Sequence, residues 1–499
     1  MRRRDFLKTS IQASAVTAAA SLPASAAPAT VSVCRPAPSA AIMTSYTEDD
    51  HRRRLQNIAL GTRAIRSCMR KHLITNYLPG QCCYNLGEYP SRRPWSPDES
   101  DERELDRLKA HGIELIQVMD EWNDRYGLFG GNKLTAVNPD GFRRFVAMVH
   151  QRGMKILAYA SSGYFCGSDP EFRQEWSRPG DGLYGWWDLV RCSPASPGWR
   201  AYLLPRMTRI LDDYGVDGLY NDWGYVPNAQ KRIKELAADE IAAFEETPAY
   251  DGAVSDLLQL IYAEVKRRGG IYKVHADRAN QPQTDGVRVY DYLWVGEGVK
   301  NADGLREAVK NHPPYVVPCI DGRLNTVGSE NEPFLHAIPY MQFPLLLAGR
   351  VFTGERSVIP IPRLPAVKPS PSYLAAWKYH QAHPDGPHLY SGWDAIPPSA
   401  ETQPTHARWL KQYLPMVEEG TWAFLEIGES HLFSKPLPKE CVASAFVNRD
   451  WYLVLANYSQ SPQEIETADA YVATDDPATP AAKQWKLAPR SLRILRRSV

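Results

Sequence analysis

The sequence contains no Cys-x-x-Cys pair. Its eight cysteines, Cys34, Cys68, Cys82, Cys83, Cys166, Cys192, Cys319 and Cys441, are scattered, which removes zinc-ribbon and thioredoxin-type chemistry. It carries no excess charge of either sign, with 58 Lys and Arg against 57 Asp and Glu. Nothing in that balance suggests a groove for nucleic acid or contact with an anionic membrane surface. Beyond the N-terminal segment, no apolar run approaches the roughly 20 residues that a bilayer-spanning helix needs. The loops that cradle nucleotides, G-x-G-x-x-G after the first strand and G-x-x-x-x-G-K-[ST], are missing, as are H-E-x-x-H and G-x-S-x-G. We therefore expect no cofactor and assign no metal ligands; the oligomeric state is not legible.

What is present begins at the N-terminus. Arg2, Arg3, Arg4, Asp5, Phe6, Leu7 and Lys8 precede an alanine-rich stretch that ends in Ala24-Ser25-Ala26. This order of basic, weakly apolar and small-residue regions resembles a twin-arginine signal peptide with an A-x-A cleavage site. It implies export of a soluble chain to the periplasm or the extracellular space. An exported chain can form disulfides, and Cys166 with Cys192 is a candidate loop staple.

At 499 residues the chain exceeds one simple domain. From about Gln81 onward one unit recurs: an apolar helical stripe, a glycine, then a short run of branched and aromatic residues. Leu105 and Leu108 lead through Gly112 to Ile113–Val118, and Phe142, Phe145, Val146 and Val149 lead through Gly153 to Met154–Tyr159. Leu203, Met207, Ile210 and Leu211 lead through Gly215 to Val216–Tyr220. Val254, Leu257, Leu258, Ile261 and Val265 lead through Gly269-Gly270 to Ile271–His275. The i, i+3, i+4, i+7 spacing is that of an amphipathic helix, and the glycine supplies its left-handed cap. With Cys82–Leu86 first, and Tyr292–Val295, Tyr315–Ile320 and Arg350–Phe352 last, the strands number eight. The expected architecture is α/β: a (β/α)8 TIM barrel followed by a small C-terminal all-β, sandwich-like domain. The boundaries read from the sequence are 1–26 for the signal, 27–75 for an N-terminal extension and 76–360 for the barrel. A proline-rich linker and helical segment then covers 361–389, and the β domain 390–499.

A TIM barrel assembles its site at the carboxyl ends of its strands. There the sequence offers Asp120-Glu121-Trp122, Asn221-Asp222-Trp223, His275-Ala276-Asp277, Gly296-Glu297-Gly298 and Asp321-Gly322-Arg323. Aromatic faces stack on the apolar faces of sugar rings while carboxylates, Arg and His bond hydroxyls, so the mixture suits a carbohydrate. Hydrolysis of a glycosidic bond needs two carboxyl groups, one to attack or stabilise an oxocarbenium-like centre and one to protonate the departing oxygen. Asp222, directly after a short β run and beside Trp223, is the first candidate; the bland alternative is a helix-capping aspartate. Asp120, Trp122, Trp223, His275, Asp277, Asp291, Trp294 and Arg323 are the candidates for binding substrate. Asp217, at the start of its strand, is expected to face a helix or solvent. Glu332 and His336 could line the pocket, though nothing specifies their direction.

Gly215-Val216-Asp217-Gly218-Leu219-Tyr220-Asn221-Asp222-Trp223 resembles the nucleophile segment of the retaining α-galactosidase and α-glucosidase clan of glycoside hydrolases, where an aspartate ends strand four. Amylase-type barrels have a similar Asp-Gly-x-x-x-Asp strand. The likeness covers about ten residues clearly, and the order of barrel and trailing β domain extends it loosely along the chain. It implies a retaining α-glycosidase with Asp222 as nucleophile. By position on strand six it points to Glu297 as acid/base, although the clan's usual residue there is an aspartate in a different local motif. Asp277, favoured by amylase-type order, and Asp291 remain open for that role. The alternatives are a non-catalytic glycan-binding barrel, or a transglycosidase or lyase using the same pocket.

Overall fold

The computed structural model describes residues 47–86, 95–123, 134–167, 169–183, 189–222, 250–275, 289–295, 302–311, 315–318, 331–349 and 402–498. The signal segment and the linker expected at 361–389 lie outside them, as does Arg350–Phe352.

Eight parallel strands follow the helical stripes as the periodicity requires. They are β2 (Gln81–Asn85), β3 (Leu115–Val118), β4 (Lys155–Ser161), β8 (Gly218–Asp222), β9 (Ile271–His275), β10 (Tyr292–Val295), β11 (Tyr315–Pro318) and β12 (Leu346–Gly349). They line up as β11-β10-β9-β8-β4-β3-β2-β12. The two ends of this curled sheet approach each other where the Leu345 N–H donates to the Pro318 carbonyl at 2.8 Å. Strand eight is thus Leu346–Gly349, upstream of the expected Arg350–Phe352. Its Leu-Leu-Ala-Gly composition lacks the branched residues that mark a strand, and it is recognised by its pairing with β2.

The helices start and stop where their ends are chemically satisfied. Helix α2 (Glu99–His111) opens on a capping box of Asp98 with Asp101 and closes at Gly112, φ 98°. Helix α3 (Pro139–Gln151) opens on Asn138, whose side chain accepts from the Gly141 N–H, followed by proline in the first turn. Helix α4 (Pro197–Tyr214) opens on Ser196 and closes at Gly215, φ 70°. Each cap occupies a backbone group that the helix cannot pair internally. Helix α5 (Tyr250–Arg267) precedes β9. Between β4 and α4 the chain makes a small antiparallel sheet, β5 (Tyr164–Cys166), β7 (Leu189–Cys192) and β6 (Ser177–Leu183), in that order.

The second sheet is antiparallel and has seven strands. Its first strand comes from the segment expected to be a separate extension. After helix α1 (Glu48–Ala64), β1 (Cys68–Leu73) pairs with β13 (Trp422–Ile427), Leu73 opposite Trp422 and Cys68 opposite Ile427. β1 escaped the pattern reading because it is an edge strand: Arg70, Lys71 and His72 give it the charge that edges use against wrong pairing. The rest is β14 (Cys441–Val447), β15 (Trp451–Asn457), β16 (Gln463–Ala473), β17 (Ala482–Leu487) and β18 (Ser491–Arg497). The central strand β15 is buried along its whole length. Tyr452, Val454 and Ala456 face the barrel's core, while Trp451, Leu453 and Leu455 face a second core that includes β16 and β17. Burial on both faces explains its continuous apolar run.

Candidate active site

The carboxyl ends of β4, β8, β9 and β10 bring together Tyr159, Asp222, Tyr220, His275 and Trp294. Asp222 is the last residue of β8 and half-buried. Alternation along the strand puts Gly218, Tyr220 and Asp222 on one face and Leu219 and Asn221 on the other. The neighbouring strand fixes Asp222 at three points. The Tyr159 hydroxyl donates to its carboxylate Oδ2 at 2.8 Å, the Ser161 hydroxyl donates to its carbonyl at 2.8 Å, and the Ser162 N–H reaches the same carbonyl at 3.2 Å. Asn221 locks the back of the strand. It accepts from the Ser162 N–H at 2.9 Å, and its amide donates to the Ser162 hydroxyl at 2.9 Å and to Tyr272 at 2.7 Å.

Tyr159 is wholly enclosed. Burial pushes its phenol well above the usual tyrosine range, and the negative charges of Asp120 and Asp222 push it further. It therefore keeps its proton and can only donate to Asp222. Asp120, 9% exposed, lies in the 3-10 turn Asp120–Trp122 that follows β3. Its charge reaches Tyr159 across the end of β4.

His275 ends β9 half-buried. Its Nδ1 is 2.8 Å from the Tyr220 hydroxyl, and Trp294 meets its ring edge-on at 4.5 Å. Trp294 is 7% exposed, and its indole N–H has no hydrogen-bond partner among the described residues. Its ring also meets Tyr220 edge-on at 5.4 Å.

Two expected substrate contacts are corrected. Trp122 is 1% exposed, stacks on Phe142 at 4.8 Å and 19°, and donates its indole N–H to the Tyr159 carbonyl at 2.9 Å. It packs between sheet and helix layer behind β4 and supports the backbone that presents Tyr159. Asp291 lies at the opposite end of the barrel, immediately before β10. Its Oδ2 accepts the Tyr272 N–H at 2.9 Å and pairs with Lys266 at 3.0 Å. Asp217 repeats this arrangement two strands earlier, accepting the Ile156 N–H at 2.8 Å and meeting His150 at 2.8 Å. Both aspartates tie a strand start to the basic end of the preceding helix, so Asp291 is neither an acid/base candidate nor a substrate contact. Glu297, Trp223, Asp277 and Arg323 lie outside the described residues.

Glu332 and His336 do not join the Asp222 group. With Asp303 they form a triad whose ligand atoms lie within 4.8 Å of one another, but two guanidiniums already neutralise it. Arg490 donates to Glu332 and, at 3.0 Å, to Asp303, while Arg306 meets Asp303 and His336 at 3.1 Å. The cluster joins helices α6 (Ala302–Val309) and α7 (Glu332–Ala337) to the turn before β18.

Tyr159, Tyr220 and Ser162 are residues at this point that sequence reasoning did not single out, and Asn221 was read only as part of the polar end of strand four. Strand three ends in Tyr159-Ala160-Ser161-Ser162, without a charge, and a search for carboxylates at strand ends passes over it. The available signal was alternation: Tyr159 and Ser161 share the inward face of β4.

No protein-family model matches the chain, and no curated protein matches it in sequence. Among solved structures it is similar to (β/α)8 barrels. One is the trehalulose synthase MutB from Pseudomonas mesoacidophila MX-45, with a TM-score of 0.50 at 12% identity over 84% of this chain and 99% of that one. A mutant of MUTB from crystals soaked with trehalulose gives a TM-score of 0.51 at 11% identity, over 85% and 100% of the two chains. A noncanonic maltogenic α-amylase, AmyB from Thermotoga neapolitana, gives 0.47 at 10% identity, over 84% and 96%. At these identities the likeness is one of fold.

Proposed function

We propose that the chain is an enzyme acting on carbohydrate, a glycoside hydrolase of retaining, α-directed mechanism with Asp222 as nucleophile. The observation that carries this reading is the placement of Asp222: the last residue of barrel strand four, half-exposed at the carboxyl end and held there through both its carboxylate and its backbone. The shared fold with a trehalulose synthase supports a carbohydrate ligand.

In this mechanism an Asp222 carboxylate oxygen attacks the anomeric carbon as the bond to the departing oxygen breaks, and that oxygen takes a proton from a second carboxyl group. Water then attacks the glycosyl ester, gives its proton back to that second group and frees Asp222. Glu297 is the assigned acid/base, with Asp277 as the rival. Retaining chemistry requires their carboxyl group to stand about 5–5.5 Å from that of Asp222. Asp120, His275 and Trp294, with Trp223 and Arg323, bind and orient the sugar hydroxyls.

The basic N-terminal segment supports export by the twin-arginine route to the periplasm or beyond. Among the described residues no helix is long and apolar enough to cross a membrane. A second reading, transfer of the glycosyl group to a sugar hydroxyl instead of water, is favoured by the word synthase in the name of that fold relative. The test is to incubate the protein with a panel of α- and β-linked oligosaccharides and follow products by anomeric proton NMR, beside Asp222→Asn. Release of an α-anomer that Asp222→Asn abolishes supports the reading. Longer or isomerised sugars mark transfer, an unsaturated product marks a lyase, and binding with no product marks a glycan-binding barrel. Full activity in Asp222→Asn refutes the nucleophile.

A further inference from the structure

We infer that Tyr159 is the positioning residue for Asp222: its hydroxyl holds the carboxylate in one orientation and in its charged form, ready to attack. This rests on the reading of Asp222 as the reacting carboxylate.

Three observations converge on it. The bond has ordinary hydroxyl–oxygen length, 2.8 Å to Oδ2, and runs between adjacent parallel strands in the register that sets Tyr159 beside Tyr220 and Ser161 beside Asp222. The phenol has no route to losing its proton, enclosed as it is and faced by two carboxylates, so it acts as a fixed donor. Asp120, from the turn after β3, and Tyr220, itself bonded to His275, also stand at this point. Finally, the tyrosine's backbone is anchored independently of its hydroxyl. The Trp122 indole and the Asn123 amide both donate to the Tyr159 carbonyl, at 2.9 and 3.3 Å, and its ring packs edge-on against Tyr220 at 5.7 Å. Nature has therefore built the support for the ring and the support for the carboxylate from separate contacts, and Tyr159→Phe separates them experimentally.

A donor to the charged form of a carboxylate favours that form, so its removal moves the ionisation to higher pH. A charge-assisted hydrogen bond of ordinary strength corresponds to a shift of about one pH unit or somewhat more. The experiment follows hydrolysis of 2,4-dinitrophenyl glycosides against pH by the full protein and by Tyr159→Phe. That leaving group departs without an acid, so the acidic limb of kcat/KM reports the attacking carboxylate. We expect the limb to move up by about one pH unit and kcat on the plateau to fall roughly tenfold, with KM changing less than about twofold. Superimposable pH profiles for the two proteins would overturn the inference, as would a loss confined to KM.

A second measurement needs no turnover. In protein labelled with 13C at the aspartate carboxyls, the resonance that disappears in Asp222→Asn is titrated in the presence and absence of the Tyr159 hydroxyl. A midpoint raised by about one pH unit in Tyr159→Phe supports the coupling, and an unchanged midpoint overturns it. Failure of the glycosidase reading looks different: no glycoside is cleaved or Asp222→Asn stays active, while the carboxyl midpoint still decides what the phenol does.

Discussion

Replacing His406 with phenylalanine removes a buried ionisable group whose effect on stability follows from its surroundings. His406 lies on α8 (Thr402–Tyr413), where the chain packs against the end of α2. Its Nε2 is 3.1 Å from the Pro344 carbonyl, which can only accept, so this nitrogen carries the hydrogen. Its Nδ1 then accepts from the Nε2–H of His111 at 2.8 Å. Phe343 and Phe334 close over it, with ring centres at 5.1 and 5.9 Å. Burial, and then the neighbouring His111, hold the imidazole down to about 3, against the pull of the Pro344 carbonyl. His111 is held to about 4 by burial and Arg107, with Glu104 opposing.

Because the folded value lies below the unfolded value of about 6.5, the unfolded chain takes up the proton first. The contribution is complete above pH 7, declines as pH falls through 6.5, and goes on declining towards 3. At pH 5 the unfolded histidine has gained about 1.5 decades of protonation, so His406 alone withdraws roughly 2 kcal/mol of stability between pH 7.5 and pH 5. Urea unfolding of wild type and His406→Phe at the two pH values measures it. The variant starts less stable, because the Pro344 carbonyl and His111 lose a partner, but its loss on acidification should be smaller than that of wild type by roughly 2 kcal/mol. Equal losses in the two proteins would refute the reasoning.

Two further predictions concern residues with structural tasks. Asp291→Asn should lower stability by about 1–2 kcal/mol, read by urea unfolding, and leave kcat on any substrate unchanged; a collapse of kcat would return Asp291 to the chemistry. Arg490→Ala removes the guanidinium that Glu332 shares with Asp303 at the seam between barrel and sheet, leaving the buried Glu332 carboxylate with His336 alone among its described partners. It should cost about 3–5 kcal/mol and lower the thermal midpoint by several degrees, whereas Arg490→Lys should recover part of that loss.

The barrel was legible because its units repeat one rule, an apolar stripe closed by glycine before a branched run, and β9 and β10 fall on the expected residues. Where the rule weakened, the reading slipped: β12 is Leu-Leu-Ala-Gly and was sought a few residues too late. The C-terminal sheet was expected only as a small all-β domain: β14 and β15 are apolar runs, but β16, with Glu464, Glu466 and Asp469 along it, does not look like a strand until its partners are known. At the site, spacing pointed to Asp222 and His275, which end β8 and β9, to Trp294 within β10 and to Asp120 in the turn after β3. It could not tell a strand's beginning from its end in a short segment, and so Asp291 was grouped with them although Asp217, in the same geometry, was set aside. It also mistook Trp122 for a sugar platform, since a tryptophan beside an aspartate reads alike whether it faces the pocket or the helix layer.

The pairing of β1 with β13 sets the order in which this chain can be finished. Ser67 and Glu429, hydrogen-bonded at 2.7 Å, are 362 residues apart. Helix α1 and β1 leave the ribosome first, yet their partners arrive only after the whole barrel has been made. The N-terminal segment must wait with its strand edge unpaired, while loop closure on that scale is slow. Once closed, the seam fastens the beginning of the chain to its last strands, so that neither the barrel nor the sheet can be cut away cleanly at residue 75 or residue 390. A fragment ending at residue 390 would keep β1 without its partner, and one starting there would lack that edge. The two layers should therefore fold, and be inherited, as one piece.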